Sequence, residues 1–75
     1  MYRSILHVVP YGVMWGVKWG GVRSLLHTSY YKQDAIHYAV SLAKQNAPSQ
    51  VLIHRRDGTI EDERTFIGDP FPPRG

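Results

Sequence analysis

A chain of 75 residues makes one domain that buries only about 60% of the surface its unfolded form exposes, so the core must be small. Hydrophobic residues at 43% exclude global disorder, and the absence of cysteine excludes a disulfide framework or a thiolate metal site, so packing alone must hold the fold. The net charge is +3 and the isoelectric point lies near 9.5, yet the nine Lys and Arg are scattered in runs no longer than two, beside acidic Asp57, Glu61, Asp62 and Glu63; this permits polyanion binding without arguing for it.

In chain order, residues 4–9 carry Ile5, Val8 and Val9 and predict a first strand, stopped by Pro10, with Pro10-Tyr11-Gly12 as a turn. Val13, Trp15, Val17 and Trp19 alternate with Met14, Gly16, Lys18 and Gly20, the period of a strand with unlike faces. Gly20-Gly21 reaches positive φ cheaply and predicts a hairpin turn into a third strand at about 22–28, completing an antiparallel meander. Ala35, Ile36, Ala39, Val40, Leu42 and Ala43 then recur at helical spacing, which predicts a helix over about 31–46 with Lys32, Gln33, His37, Ser41 and Lys44 largely turned to water. Thr28 or Ser29 is the expected cap, Asp34 suits the first turn, and Pro48 prevents continuation. Val51-Leu52-Ile53 predicts a strand over 50–55, and Asp57-Gly58 a two-residue turn into a weaker strand at about 59–64, setting Arg55 opposite Ile60 and His54 opposite Glu61.

The expected fold class is therefore α+β: an antiparallel sheet, a three-stranded meander plus one or two C-terminal strands, with one helix packed on one face in the order β-β-β-α-β(-β). Residues 1–68 form the domain and 69–75 an extended Pro-rich tail, whose Phe71 is a candidate anchor and whose Pro70 to Arg74 has PxxP spacing. The expected core is Val8, Trp15, Val17, Ile36, Ala39, Val40, Ala43, Val51 and Ile53. The longest apolar run is too short to cross a membrane, and the N-terminal residues lack the apolar stretch of a signal peptide, so no membrane association and a cytoplasmic location are expected.

The combination of His7-Val8-Val9-Pro10, Trp15-Gly16-Val17-Lys18, Asp34-Ala35-Ile36 with Ala39 and Leu42-Ala43-Lys44, His54 to Ile60, and Asp69 to Gly75 resembles the bacterial family called domain of unknown function 2188. The likeness covers nearly the whole chain and is most specific in its C-terminal half. It implies a small bacterial protein and supplies no mechanism. Two departures stand out: Tyr30-Tyr31 replaces an Asp-Thr pair at the helix start, and Val13-Met14 is apolar where glycine or polar turn residues are expected.

No site of catalysis is expected. His7, His27, His37 and His54 have no close helical spacing and no cysteine to assist them, so no metal is expected and they are read as sheet-edge and helix-surface residues. Glu61, Asp62 and Glu63 beside His54, Arg55 and Arg56 are explained by cross-strand charge pairing, and a chain this small has little room for the roughly 300 Å³ a ligand pocket needs, so neither a cofactor nor a small-molecule substrate is expected. The leading expectation is a non-catalytic binding module whose partner is another protein or itself, motivated by open sheet edges and by Tyr2, Tyr11, Trp19, Tyr30, Tyr31, Tyr38 and Phe71, more aromatics than a thin core holds. The alternative is weak nucleic-acid binding, with Lys18, Arg23, Arg55 and Arg56 on phosphates and an exposed Trp19 or Tyr11 stacking on bases.

Overall fold

The computed structural model describes residues 4–67. Tyr2 and the expected tail with Phe71 lie outside the described residues. Five strands and one helix follow as β1 (Ser4–Tyr11), β2 (Met14–Trp19), β3 (His27–Ser29), α1 (Lys32–Gln45), β4 (Ser49–His54) and β5 (Ile60–Phe66). Both C-terminal strands are thus present. The sheet order is β3-β2-β1-β4-β5, and the expectation of a purely antiparallel sheet is corrected: β1 pairs with β4 in parallel, from Ser4 with Ser49 to Val8 with Ile53. Strand directions explain this. β3 is antiparallel to β2, hence runs with β1; α1 carries the chain back across the sheet, and β4 emerges in the direction of β3 beside β1.

Three local expectations change. Pro10 does not stop β1; it pairs with Trp15, and the pairing to β4 has already ended at Val8, so β1 is bordered on one side there and a missing N–H is tolerated. The turn is Gly12-Val13, with Gly12 at φ 61°, the II′ arrangement that puts glycine first and accepts Val13 second. The third strand is not a hairpin partner from residue 22. The Gly20 N–H donates to the Ile5 carbonyl (2.8 Å), Val22 N–H to Trp19 carbonyl (3.1 Å) with Gly21 at φ 80°, and the chain loops out until Leu26 N–H reaches the Val17 carbonyl (2.6 Å). Only three residues then pair as β3.

At the last hairpin the loop has three residues rather than two. Gly58 N–H donates to the Arg55 carbonyl, Gly58 sits at φ 95°, and Arg55 N–H bonds the Thr59 carbonyl, the type I turn followed by a left-handed glycine. The Asp57 carboxylate accepts from the Thr59 N–H and hydroxyl, bonds that hold its pKa below the usual range. A register shift near His54 follows, so His54 opposes Ile60, not Glu61.

Helix α1 starts at Lys32 with Tyr31 as an N-cap that makes no side-chain cap bond. Ser29 compensates at a distance. Its hydroxyl accepts the Tyr31 N–H and donates to the Asp34 carboxylate, each at 3.1 Å, so the acid in the first turn reaches the cap N–H through an intervening hydroxyl. At the other end the Asn46 amide donates to the Leu42 carbonyl and the buried Ser49 hydroxyl to that of Ala43, satisfying orphan acceptors. Ala35, Ile36, Ala39 and Ala43 face Leu6, Val8, Trp15, Val17, Val51 and Ile53 in one core. Leu6 and Ala35 thus join the expected core; Val40 is half-buried at its margin, with Trp19, Leu42 and Phe66. Among the described residues no helix is long and apolar enough to cross a membrane.

Candidate functional site

Strand periodicity divides the sheet into two unlike faces. Residues 49–54 alternate buried and half-buried, and the buried set lies under α1. The other set forms a face on which, among the described residues, no helix or strand lies. From β2 to β5 it carries Met14 and Lys18, then Ile5, His7, Val9 and Tyr11, then Gln50, Leu52 and His54, then Ile60, Glu63 and Thr65. Gly16 is its one buried member, because a Cβ there would stand 2.9 Å from Leu25 Cδ2: the loop side chain of Leu25 lies over the sheet where β2 has no side chain.

At the centre of this face His7 Nδ1 and His54 Nε2 are 2.9 Å apart, and His54 Nδ1 is 2.9 Å from the Gly58 carbonyl. The carbonyl only accepts, so His54 carries its proton on Nδ1; its Nε2 is then the acceptor for the His7 Nδ1–H, and a lone pair remains on His7 Nε2. Burial holds the His7 pKa below the usual histidine value of 6.5, with further lowering from His54 and Lys18. This corrects the reading of the histidines as separate edge residues: β1 and β4 are interior strands, and their parallel pairing brings together two rings 47 residues apart. His27, on edge strand β3, stacks on Tyr38 of α1 with centroids 4.3 Å apart. Among the described residues no group of three His, Asp or Glu is placed to hold a metal ion.

The residues expected to contact nucleic acid do not gather. Lys18 and Tyr11 share the open face, Tyr11 being 56% exposed. Trp19 lies on the helix side, half-buried against the core, so the expected exposed platform is corrected; it is opposite Leu6, the interior position that sets its direction. Arg23 is exposed in the β2–β3 loop. Arg55 donates to the Thr59 hydroxyl and Ile60 carbonyl inside its own hairpin. Arg56 donates to the Gly12 carbonyl at 2.8 Å and lies 4.4 Å from the ring centroid of Trp15, joining the two hairpins. Lys32, expected in water, lies 4.6 Å from the same centroid and pairs with Glu61.

Sequence reasoning missed the His7–His54 pair and the composition of the open face. The alternation of His7 with Leu6 and Val8, and of His54 with Ile53, was a legible signal that both rings leave the core. Which strands would be neighbours was not.

The family model described as "Uncharacterized protein conserved in bacteria (DUF2188)" matches residues 6–66, the whole of the sheet and helix except the first two residues of β1. No curated protein and no solved structure matches the chain.

Proposed function

This chain belongs to that bacterial family of uncharacterized proteins, and from the geometry of its sheet we propose that it is a non-catalytic protein-interaction module that docks partners on the open face. The observation that carries the reading is the half-buried apolar set Ile5, Val9, Met14 and Leu52 on a face that α1 leaves free. Burying such a set on a partner is favourable at roughly 25 cal/mol per Å². The edges are poorer candidates: β3 is three residues long, and β5 carries Glu61, Asp62, Glu63 and Arg64, charges that oppose pairing with a further strand. The face also suits protein better than nucleic acid. It carries one lysine, Lys18, and an acid, Glu63, at its opposite sides rather than a cluster of cations, and Arg55 and Arg56 are engaged within the fold.

The test is site-specific photo-crosslinking in living bacteria, with the reactive side chain placed at Leu52 on the face and, as control, at Gln33 on the solvent side of α1. Protein adducts are expected from Leu52 and not from Gln33; equal yields from the two positions would remove the reading. For the nucleic-acid alternative, anisotropy titration with DNA and RNA at low salt is expected to stay flat, whereas salt-sensitive binding lost on Lys18→Ala would favour it over a protein partner.

A further inference from the structure

Register places four residues of the open face in one row across the sheet: Lys18 on β2 opposite His7 on β1, His7 beside Leu52 on β4, and Leu52 opposite Glu63 on β5. Three strand spacings, about 14 Å, separate Lys18 from Glu63. That exceeds the screening length of about 10 Å at moderate salt, so the two charges do not compensate each other within one copy. Among the described residues neither is in an ion pair, and Glu63 accepts a 3.4 Å bond from Gln50.

The row is complementary to itself. A two-fold axis parallel to the strands, running between β1 and β4 in the plane between two stacked sheets, exchanges β2 with β5 and β1 with β4. It sets Lys18 against Glu63 of a second copy, twice by symmetry, and His7 against Leu52. The next row behaves likewise: Leu25 over Gly16 of β2 meets Ile60 of β5, which is 44% exposed, and Val9 meets His54. Opposite charges meet at the outer ends of the first row and apolar Leu25 meets apolar Ile60 in the second, while between them each imidazole, His7 and His54, lies against an aliphatic side chain, Leu52 and Val9. An axis across the strands at this row would set Lys18 against Lys18 instead.

We propose that the occupant of the open face is a second copy of this chain, packed sheet to sheet about that axis with Lys18 and Glu63 paired between copies. This rests on the reading of the face as a protein-docking surface and names its partner. Such aligned stacking keeps mean strand directions within about 30° of each other, as sheet pairs do. Four strands about 4.8 Å apart and six residues about 3.3 Å each make about 400 Å² of sheet plane per copy. That is the small end of specific interfaces, so a dissociation constant on the order of 100 µM is expected.

The experiment is sedimentation equilibrium of the full chain from about 10 µM to about 1 mM, with charge-swap variants whose melting curves match the parent. Lys18→Glu and Glu63→Lys each place like charges across the axis at two sites and are expected to weaken the dimer about tenfold, while the double variant K18E/E63K returns it to within about threefold of the parent. Rescue distinguishes pairing between copies from a loss of one useful charge. A monomer at the highest concentration overturns the proposal, as does a dimer that the double variant fails to restore, or a Leu52 crosslink to residues 68–75 of the same chain. If the full chain is monomeric while Leu52 still crosslinks a different protein in cells, only the choice of partner is lost; if Leu52 gives no protein adduct at all, the docking reading goes with it.

Discussion

Arg56→Ala separates a structural arginine from a phosphate-binding one. The guanidinium borders the Trp15 ring at 4.4 Å, and Trp15 is only 8% exposed, so the cation–π contact is partly shielded from water and contributes about 1 kcal/mol. Its donation to the Gly12 carbonyl at 2.8 Å, at an exposed site, adds about 0.5–1 kcal/mol, and the 3.4 Å contact to the Met14 carbonyl adds little. The expected loss is about 1.5–2 kcal/mol. In a domain whose total stability is on the order of 4–11 kcal/mol, this is a large fraction, and it corresponds to a fall in melting temperature of roughly 6–16 °C. Circular dichroism melts of the parent, Arg56→Ala and Arg56→Lys check it. The lysine variant keeps a cation beside the ring, loses the guanidinium fork, and should melt between the other two. If Arg56→Ala melts within about 2 °C of the parent, the reasoning that Arg56 joins the hairpins is refuted.

Removing the hydroxyl that relays Asp34 to the helix cap, Ser29→Ala, should cost about 1 kcal/mol, seen as a lower urea midpoint at unchanged slope; an unchanged midpoint would show that Tyr31 needs no such relay. Ala39 is fully buried between helix and sheet, so Ala39→Leu should destabilise by about 1–3 kcal/mol through overpacking, and a melt as high as the parent's would mean that α1 stands further from the sheet than described. Because the His7 pKa lies below 6.5 in the fold, by burial first and by His54 and Lys18 second, the unfolded chain takes up the proton more readily. Stability contributed by neutral His7 is therefore fully present above about pH 6.5, declines as the pH drops toward the folded-state value, and levels off below it. Unfolding free energies from about pH 7 to about pH 5 should fall more steeply for the parent than for His7→Gln; parallel curves would count against it.

How much was legible beforehand varies along the chain. The stripe Ile36, Ala39, Ala43 and the alternation of Trp15 with Val17 named the interface between helix and sheet, because both periods are properties of the local backbone and survive whatever the neighbours do. The expected cap, Thr28 or Ser29, was not the observed one: the helix starts later, at Lys32 after Tyr31, and Ser29 serves it only through the Tyr31 N–H and the Asp34 carboxylate. The turn at Gly58 was placed correctly and typed wrongly: two loop geometries fit Asp57-Gly58, and one residue more in the loop moved His54 from Glu61 to Ile60. Gly20-Gly21 makes a tight turn yet no hairpin, since the residues after it leave the sheet and Leu25 returns over Gly16.

The candidate face shows the same division. Its residues were determined by alternation alone: once Leu6, Val8, Val51 and Ile53 are buried, Ile5, His7, Leu52 and His54 must point the other way. Their meeting was not. Only the return of α1 across the sheet, which lays β4 parallel to β1, puts His7 against His54 and ranks Lys18, His7, Leu52 and Glu63 in one row. Period and turn chemistry act over a few residues and are written in the chain; which strands become neighbours depends on covering one hydrophobic face with one helix, a balance struck by the whole molecule at once.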